Sequence, residues 1–157
     1  MKVVLVLDNL RSVYNVGSIF RTANACGVNH IVLCGTTPTP LDKKGEKRKD
    51  FAKVALGAEA TVSWEYREST TESLKQLKID GYYIIAIEQD EKSVDYKDVR
   101  VDAKEKITFI IGPEVTGMAQ EVLDLSDVIA EIPMLGTKES LNVTIAAGIA
   151  LYRILGL

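Results

Sequence analysis

At 157 residues the chain is long enough for one domain to bury a core of its own without disulfide or metal staples. A hydrophobic content of 46 % and a charged content of 26 % exclude a disordered or low-complexity chain, and the apolar runs are too short to form a membrane-spanning helix. The net charge of −3, from 19 Lys plus Arg against 22 Asp plus Glu, gives no global signature of a nucleic-acid binder.

In chain order, KVVLVL (residues 2–7) is a short β-branched apolar run, read as a buried first strand rather than a signal peptide. The polar stretch DNLRSVYNVG follows. GSIFRTANAC (17–26) places Ile19, Phe20, Ala23 and Cys26 at helical spacing, and Gly27 ends that helix. HIVLCG is a second strand. TTPTPLDKKGEKRKD is a long polar loop, and FAKVALGAEA a short helical piece. TVSWEY reads as a strand, STTESLKQLKI as a capped helix and YYIIAIE as a strand. QDEKSVDYKDVRVDAKEK reads as loop. ITFIIG is another buried strand, MAQEVLDLSD a short helix, VIAEIP a strand and SLNVTIAAGIALYRIL the closing helix.

Strands and helices alternate, and most strands are continuous apolar runs. That pattern predicts one α/β domain over residues 1–157, with a parallel sheet covered by helices on both faces. Ligands in such folds bind beyond the carboxyl ends of the strands. The polar loops there are DNLRSVYNVGS, IEQDE, GPEVTG and PMLGTKESLN, three of them after consecutive strands of the C-terminal half.

Several chemistries are disfavoured. No glycine-rich dinucleotide fingerprint follows the first strand, and no Walker-type phosphate loop is present. A single histidine, His30, argues against a histidine-based metal site or a Ser-His-Asp triad, so no metal is expected. Cys26 and Cys34 have neither metal-ligand spacing nor a disulfide framework, which suits a reducing, cytoplasmic setting.

Other residues point toward a site. Asn15, Gly17 and Arg21 stand at the first loop-to-helix junction, where Asn15 suits an N-cap and Gly17 and Arg21 lie one turn apart. Arg21 suits either a carboxylate pair or a phosphate held bidentately. Gly112, Gly117 and Gly136 fall in two late loops where a backbone can approach a ligand. The run from Asp42 to Lys53 concentrates Lys43, Lys44, Lys47, Arg48 and Lys49 in a local basic loop able to meet phosphates.

Taken together, NVGSIFRTANACGV, IIGPEVTGM and IPMLGTKESLNVTIAAGIALY resemble, in order and spacing, the three motifs of the SPOUT superfamily in its SpoU (TrmH-type) branch of RNA ribose 2′-O-methyltransferases. The resemblance implies an α/β domain with a C-terminal trefoil knot, a homodimer, and S-adenosylmethionine as cofactor. It assigns Asn15 and Arg21 to the catalytic pair, Glu114 to the acidic position of the second motif, and Ser140 and Asn142 to the polar pair of the third. It places the cofactor against Ile87, Gly112, Gly117, Ile132, Met134, Gly136, Ser140 and Leu141. RNA contact would fall to Arg11 with Lys43, Lys44, Lys47, Arg48 and Lys49. The match corresponds to a bare catalytic core with no N-terminal RNA-binding extension, so an accessory RNA-binding protein is a possible partner. Pro113 and Thr144 stand where relatives often carry Asn and Ser. Two other functions fit the chain less well: a non-catalytic RNA-binding module that keeps the fold, and a generic nucleotide-binding α/β domain.

Overall fold

The computed structural model describes residues 1–157. Its strands are β1 (Lys2–Asp8), β2 (His30–Cys34), β3 (Ser63–Arg67), β4 (Tyr83–Ile87), β5 (Val94–Asp95), β6 (Lys106–Ile111) and β7 (Val128–Glu131). Its helices are α1 (Val13–Ala25), α2 (Lys49–Ala55), α3 (Ala58–Thr61), α4 (Thr70–Ile79), α5 (Gln120–Asp124) and α6 (Val143–Leu155). The strands form one sheet in the order β3-β2-β1-β6-β4-β7-β5, and every pairing is parallel.

The apolar runs explain the layering. Alternate residues of a strand face opposite sides, so a strand buried on both faces must be apolar throughout. In β1, Val3, Leu5 and Leu7 enter the larger core with α1, α2, α3 and α6, while Val4 and Val6 enter the smaller core with α4 and α5. Phe20 of α1 meets Phe51 of α2 edge-to-face at 5.2 Å, worth about 0.5–1.5 kcal/mol beyond simple burial. Gly17 lets α1 and α2 approach: a β-carbon there would lie 3.0 Å from that of Val54.

The chain leaves β1 toward α1 on one face of the sheet and leaves the adjacent β6 toward α5 on the other. The connecting loops therefore part at the carboxyl ends of β1 and β6 and open a crevice there, as doubly wound sheets do. A second opening lies where the loops after β4, β6 and β7 converge. These three strands are neighbours in the sheet, although β5 falls between β4 and β6 along the chain.

Some local expectations are corrected. The first helix begins at Val13, four residues before Gly17, because Ser12 caps it by accepting from the Asn15 N–H at 3.2 Å. Asn15 is thus inside the first turn and its side chain is released from capping. The piece after the basic loop is two helices, broken where Leu56 and Gly57 take positive φ angles of 50° and 91°. The stretch 89–105 holds the two-residue strand β5 and a 3-10 turn at Tyr96–Asp98. Residues 140–142 precede the last helix instead of opening it. No helix is long and apolar enough to cross a membrane.

Candidate active site

The smaller of two adjoining cavities, about 260 Å³, is walled by the three loops after β4, β6 and β7. Ile87, Gly112, Gly117, Ile132, Met134, Ser140 and Leu141 all line it, so the cofactor candidates converge, with Gly136 the exception. Gly136 is exposed and needs no special backbone angle. Gly112 is required for closure, since a β-carbon there would run into the Met118 side chain. Gly117 turns the loop with φ +67°.

Two residues that sequence reasoning missed tie these loops together. Glu88 accepts from the Met118 N–H at 3.1 Å and from the Gln89 N–H at 2.9 Å, joining the β4 loop to the β6 loop. Gln89 donates through Nε2 to the Glu139 carbonyl at 2.9 Å, joining the β4 loop to the β7 loop. The polar run that follows the β4 strand was their one visible signal. Half of the lining is apolar, including Ile87, Ile111, Ile132, Met134 and Val143, and the rest comprises Gly112, Pro113 and Gly117 with the polar residues Glu88, Gln89, Glu114, Thr116 and Ser140. Such a wall suits a flat heterocycle whose edges are read by main-chain groups.

The larger cavity, about 730 Å³, occupies the crevice between the β1 and β6 loops. Arg11, Asn15 and Glu114 line it together with Asp8, Asn9, Thr36 and the first turn of α4. Residues 113–117 line both cavities and form their common wall. On that wall Asn15 donates through Nδ2 to Glu114 Oε1 at 2.5 Å, across 99 positions of sequence. A carboxylate only accepts, so the contact fixes the amide orientation and leaves Asn15 Oδ1 as a free acceptor.

Other candidates stand apart. Arg21 is exposed, pairs with no carboxylate and lines neither cavity. The carboxylate-pair reading of Arg21 therefore fails, and its guanidinium is available to an external anion. Asn142 lines neither cavity and caps α6, its Oδ1 accepting from the Thr144 N–H at 2.9 Å and the Thr144 hydroxyl at 2.6 Å.

The basic loop is a small hairpin bridged between Leu41 and Lys47. Asp42 accepts from the Lys44 and Glu46 N–H groups at 2.8 and 2.9 Å. Lys43, Lys44, Lys47 and Lys49 are exposed. Arg48 is occupied instead: it grips Asp50 through Nε at 3.1 Å and Nη2 at 2.8 Å. That hydrogen bonding holds the Asp50 carboxyl below its usual range, so Arg48 leaves the set of free cations.

A doubly wound parallel sheet with two ligand-sized openings at its carboxyl edge defines a class of small-molecule-using α/β proteins. This chain belongs to the SpoU rRNA methylase family, whose model matches residues 2–152. It is 31 % identical over 154 residues to a Staphylococcus haemolyticus protein assigned by name to the TrmH family of tRNA/rRNA methyltransferases. That alignment covers 98 % of this chain and 58 % of the relative. The fold matches the crystal structure of an AdoMet-bound rRNA methyltransferase from Sinorhizobium meliloti with a TM-score of 0.85 at 28 % identity, over 98 % of this chain and 55 % of that one. It also matches a structure concerned with 2-OH methylation of C/U34 on tRNA, with a TM-score of 0.80 at 25 % identity, over 99 % and 98 % of the two chains. The chain thus spans little more than half the length of the first two relatives.

Proposed function

We propose that the protein is an S-adenosylmethionine-dependent methyltransferase acting on a ribose 2′-hydroxyl of tRNA or rRNA. The observation that carries this reading is the pair of cavities meeting at the 113–117 wall, bridged by Asn15 and Glu114. The smaller cavity fits the cofactor: apolar walls for the adenine, backbone of three loops for its polar edges, and Ser140 at its rim. The larger cavity fits an unstacked nucleotide.

The cofactor supplies a methyl group made electrophilic by a sulfonium sulfur. When bound, it would offer that methyl carbon to the ribose 2′-oxygen with the sulfur as leaving group, and the protein's part is to aim the hydroxyl and give its proton a way out. Asn15 Oδ1, held free by Glu114, accepts from the 2′-hydroxyl and aims its lone pair; Glu114 is a positioning residue. Arg21 holds a substrate phosphate. A guanidinium stays protonated at neutral pH and is no base, so the proton leaves by way of the phosphate oxygen that Arg21 holds and passes on to solvent. Positioning of this kind supplies several kcal/mol of barrier reduction. Arg11 and the exposed lysines of the hairpin follow the RNA backbone. Asn142 contributes by fixing the end of the cofactor loop.

Homodimerisation is part of the proposal. Helix α6 buries Val143, Ala147, Ala150, Leu151 and Ile154 inside the chain yet exposes Ile145, Ile149 and Tyr152 on its other side. Arg21 stands on the neighbouring helix of the same layer, so pairing of two copies here would bring it toward a second site. A trefoil knot is the proposed path of the C-terminal segment. The strand order supports it: β7 lies between β4 and β5, inside the excursion 88–105 that links β4 to β6. A cytoplasmic location, and an accessory RNA-binding partner that adds to the contacts of Arg11 and the hairpin lysines, complete the reading.

The test is incubation with methyl-labelled S-adenosylmethionine and unmodified tRNA or rRNA, followed by digestion to nucleosides. Label in a 2′-O-methylnucleoside is expected. Label on a base would overturn the chemistry, and absence of label with either RNA despite cofactor binding would favour the non-catalytic module.

A further inference from the structure

We propose that Asp8 selects the target nucleotide, admitting a base with an exocyclic amino group and rejecting uracil. The inference rests on reading the larger cavity as the nucleotide site.

Asp8 ends β1, is only 3 % exposed, and lines that cavity. No lysine or arginine pairs with it. Its Oδ1 has a structural task, accepting from the Thr70 hydroxyl at 2.5 Å and from Asn9 Nδ2 at 2.9 Å, which ties β1 to the start of α4. Its Oδ2 has none. No donor of the protein reaches Oδ2, and this oxygen is not among the sealed side-chain atoms that lack a partner. Oδ2 is therefore open to the cavity, where water reaches it in the free protein; a ligand that displaces that water without bringing a donor leaves a carboxylate oxygen unpaired, which is costly.

The surroundings hold that oxygen in one direction. Asn9 has a φ of +52°, and both ends of its side chain are committed, Nδ2 to Asp8 and Oδ1 to the Thr36 N–H at 3.1 Å. Gly35 makes room for this arrangement, since a β-carbon there would strike the Asn9 amide. Asp8 is therefore clamped from two sides at the cavity floor, while Arg11 is exposed at its rim. A nucleotide entering base-first puts its base on Asp8 and its phosphate near Arg11.

Polarity then discriminates. The hydroxyls of Thr36, Ser69 and Thr71 donate or accept as required, but an ionised carboxylate only accepts. Cytosine, adenine and guanine offer an amino group. Uracil offers two carbonyl oxygens flanking one N–H, so an acceptor approaching its edge meets repulsion on either side.

The experiment uses CMP, AMP, GMP and UMP as probes, titrated calorimetrically into the purified protein saturated with S-adenosylhomocysteine. The tightest of the three amino-bearing nucleotides is expected to bind about tenfold more tightly than UMP, the scale of one base-edge hydrogen bond. Asp8→Asn keeps an oxygen for Thr70 and turns an amide N–H₂ into the cavity. It should shrink or invert that ratio while leaving the melting temperature and cofactor affinity in place. A merely structural Asp8 would weaken all four nucleotides in proportion. Equal binding of UMP in the wild type, an unmoved ratio in Asp8→Asn, or no saturable binding of any nucleotide would overturn the inference. Turnover is not read here, so failure of the methylation reaction is scored separately by the nucleoside digest.

Discussion

The two cavities share residues 113–117 but are made of different material. In the smaller one, eight of sixteen lining residues are hydrophobic and Gly112, Pro113 and Gly117 present little but backbone; in the larger one only four of eighteen are hydrophobic. Backbone walls accept many side chains and serve a ligand that stays the same from one relative to the next. Side-chain walls are rewritten by single substitutions and serve a ligand that changes. The cofactor half of the site is therefore expected to be generic, and the nucleotide half to carry what is particular to this protein.

Arg21→Ala has the largest expected effect and separates both cavities from the chemistry. Methyl transfer should fall about 100-fold or more through lost positioning, while cofactor affinity measured by calorimetry stays unchanged, because Arg21 touches neither cavity. Retained turnover would remove Arg21 from the mechanism. Glu88→Ala comes next and acts on the smaller cavity alone. It removes the acceptor for Met118 and Gln89, and a lost charged acceptor of about 1–3 kcal/mol corresponds to roughly tenfold or more in cofactor Kd. Glu88→Gln should recover part of that loss, since its amide oxygen still accepts from Met118. Nucleotide preference should not move in either variant; a shift would mean that the common wall is not a rigid divider.

The same division governs what was legible in the sequence. The parallel sheet followed from continuous apolar runs, and the loops after β4, β6 and β7 were recognisable because their polar residues interrupt those runs. Loop position alone did not single out Ile87, Gly112, Ile132 and Met134; they came from the resemblance to the SpoU motifs, and the structure brings them to one cavity. Asp8 opposite Thr70, Glu88 under Met118, and Gln89 against Glu139 were not legible, because partners 62, 30 and 50 positions apart leave no local pattern. Strand β5 escaped because two residues are too few for any periodicity. The capping alternative for Asn15 fell because Ser12, one turn earlier, has the same chemistry and takes that role.

Asn142 offers a smaller test of where the backbone wall ends. As the cap of α6 its replacement by Ala should cost about 1 kcal/mol, a fall in Tm of roughly 2–4 °C for a chain of this size. Asn142→Asp should restore it, because either side chain accepts from the Thr144 N–H. If transfer per folded molecule tracks the melting curve through this series, Asn142 acts by holding the loop; if transfer is lost in both variants at unchanged stability, it touches substrate or cofactor.

Cys34 carries the smallest expected effect, and it reports on the larger cavity from beneath. It is fully buried, with its Sγ 3.8 Å from the Ser73 hydroxyl, on the side of the floor where Thr70 meets Asp8. Burial pushes its thiol above the ordinary cysteine range, and burial does the same at Cys26. A raised pKa means less thiolate at any pH below it, and the thiolate is the nucleophile. Iodoacetamide at pH 8 should therefore leave both cysteines unmodified in the folded protein and label both after unfolding, as read by intact mass. Labelling of Cys34 in the native protein would show that the floor opens on the timescale of the reaction. A cavity that opens there could not hold the Asp8 carboxylate in one direction, and selection by a fixed acceptor would fail along with its rigidity.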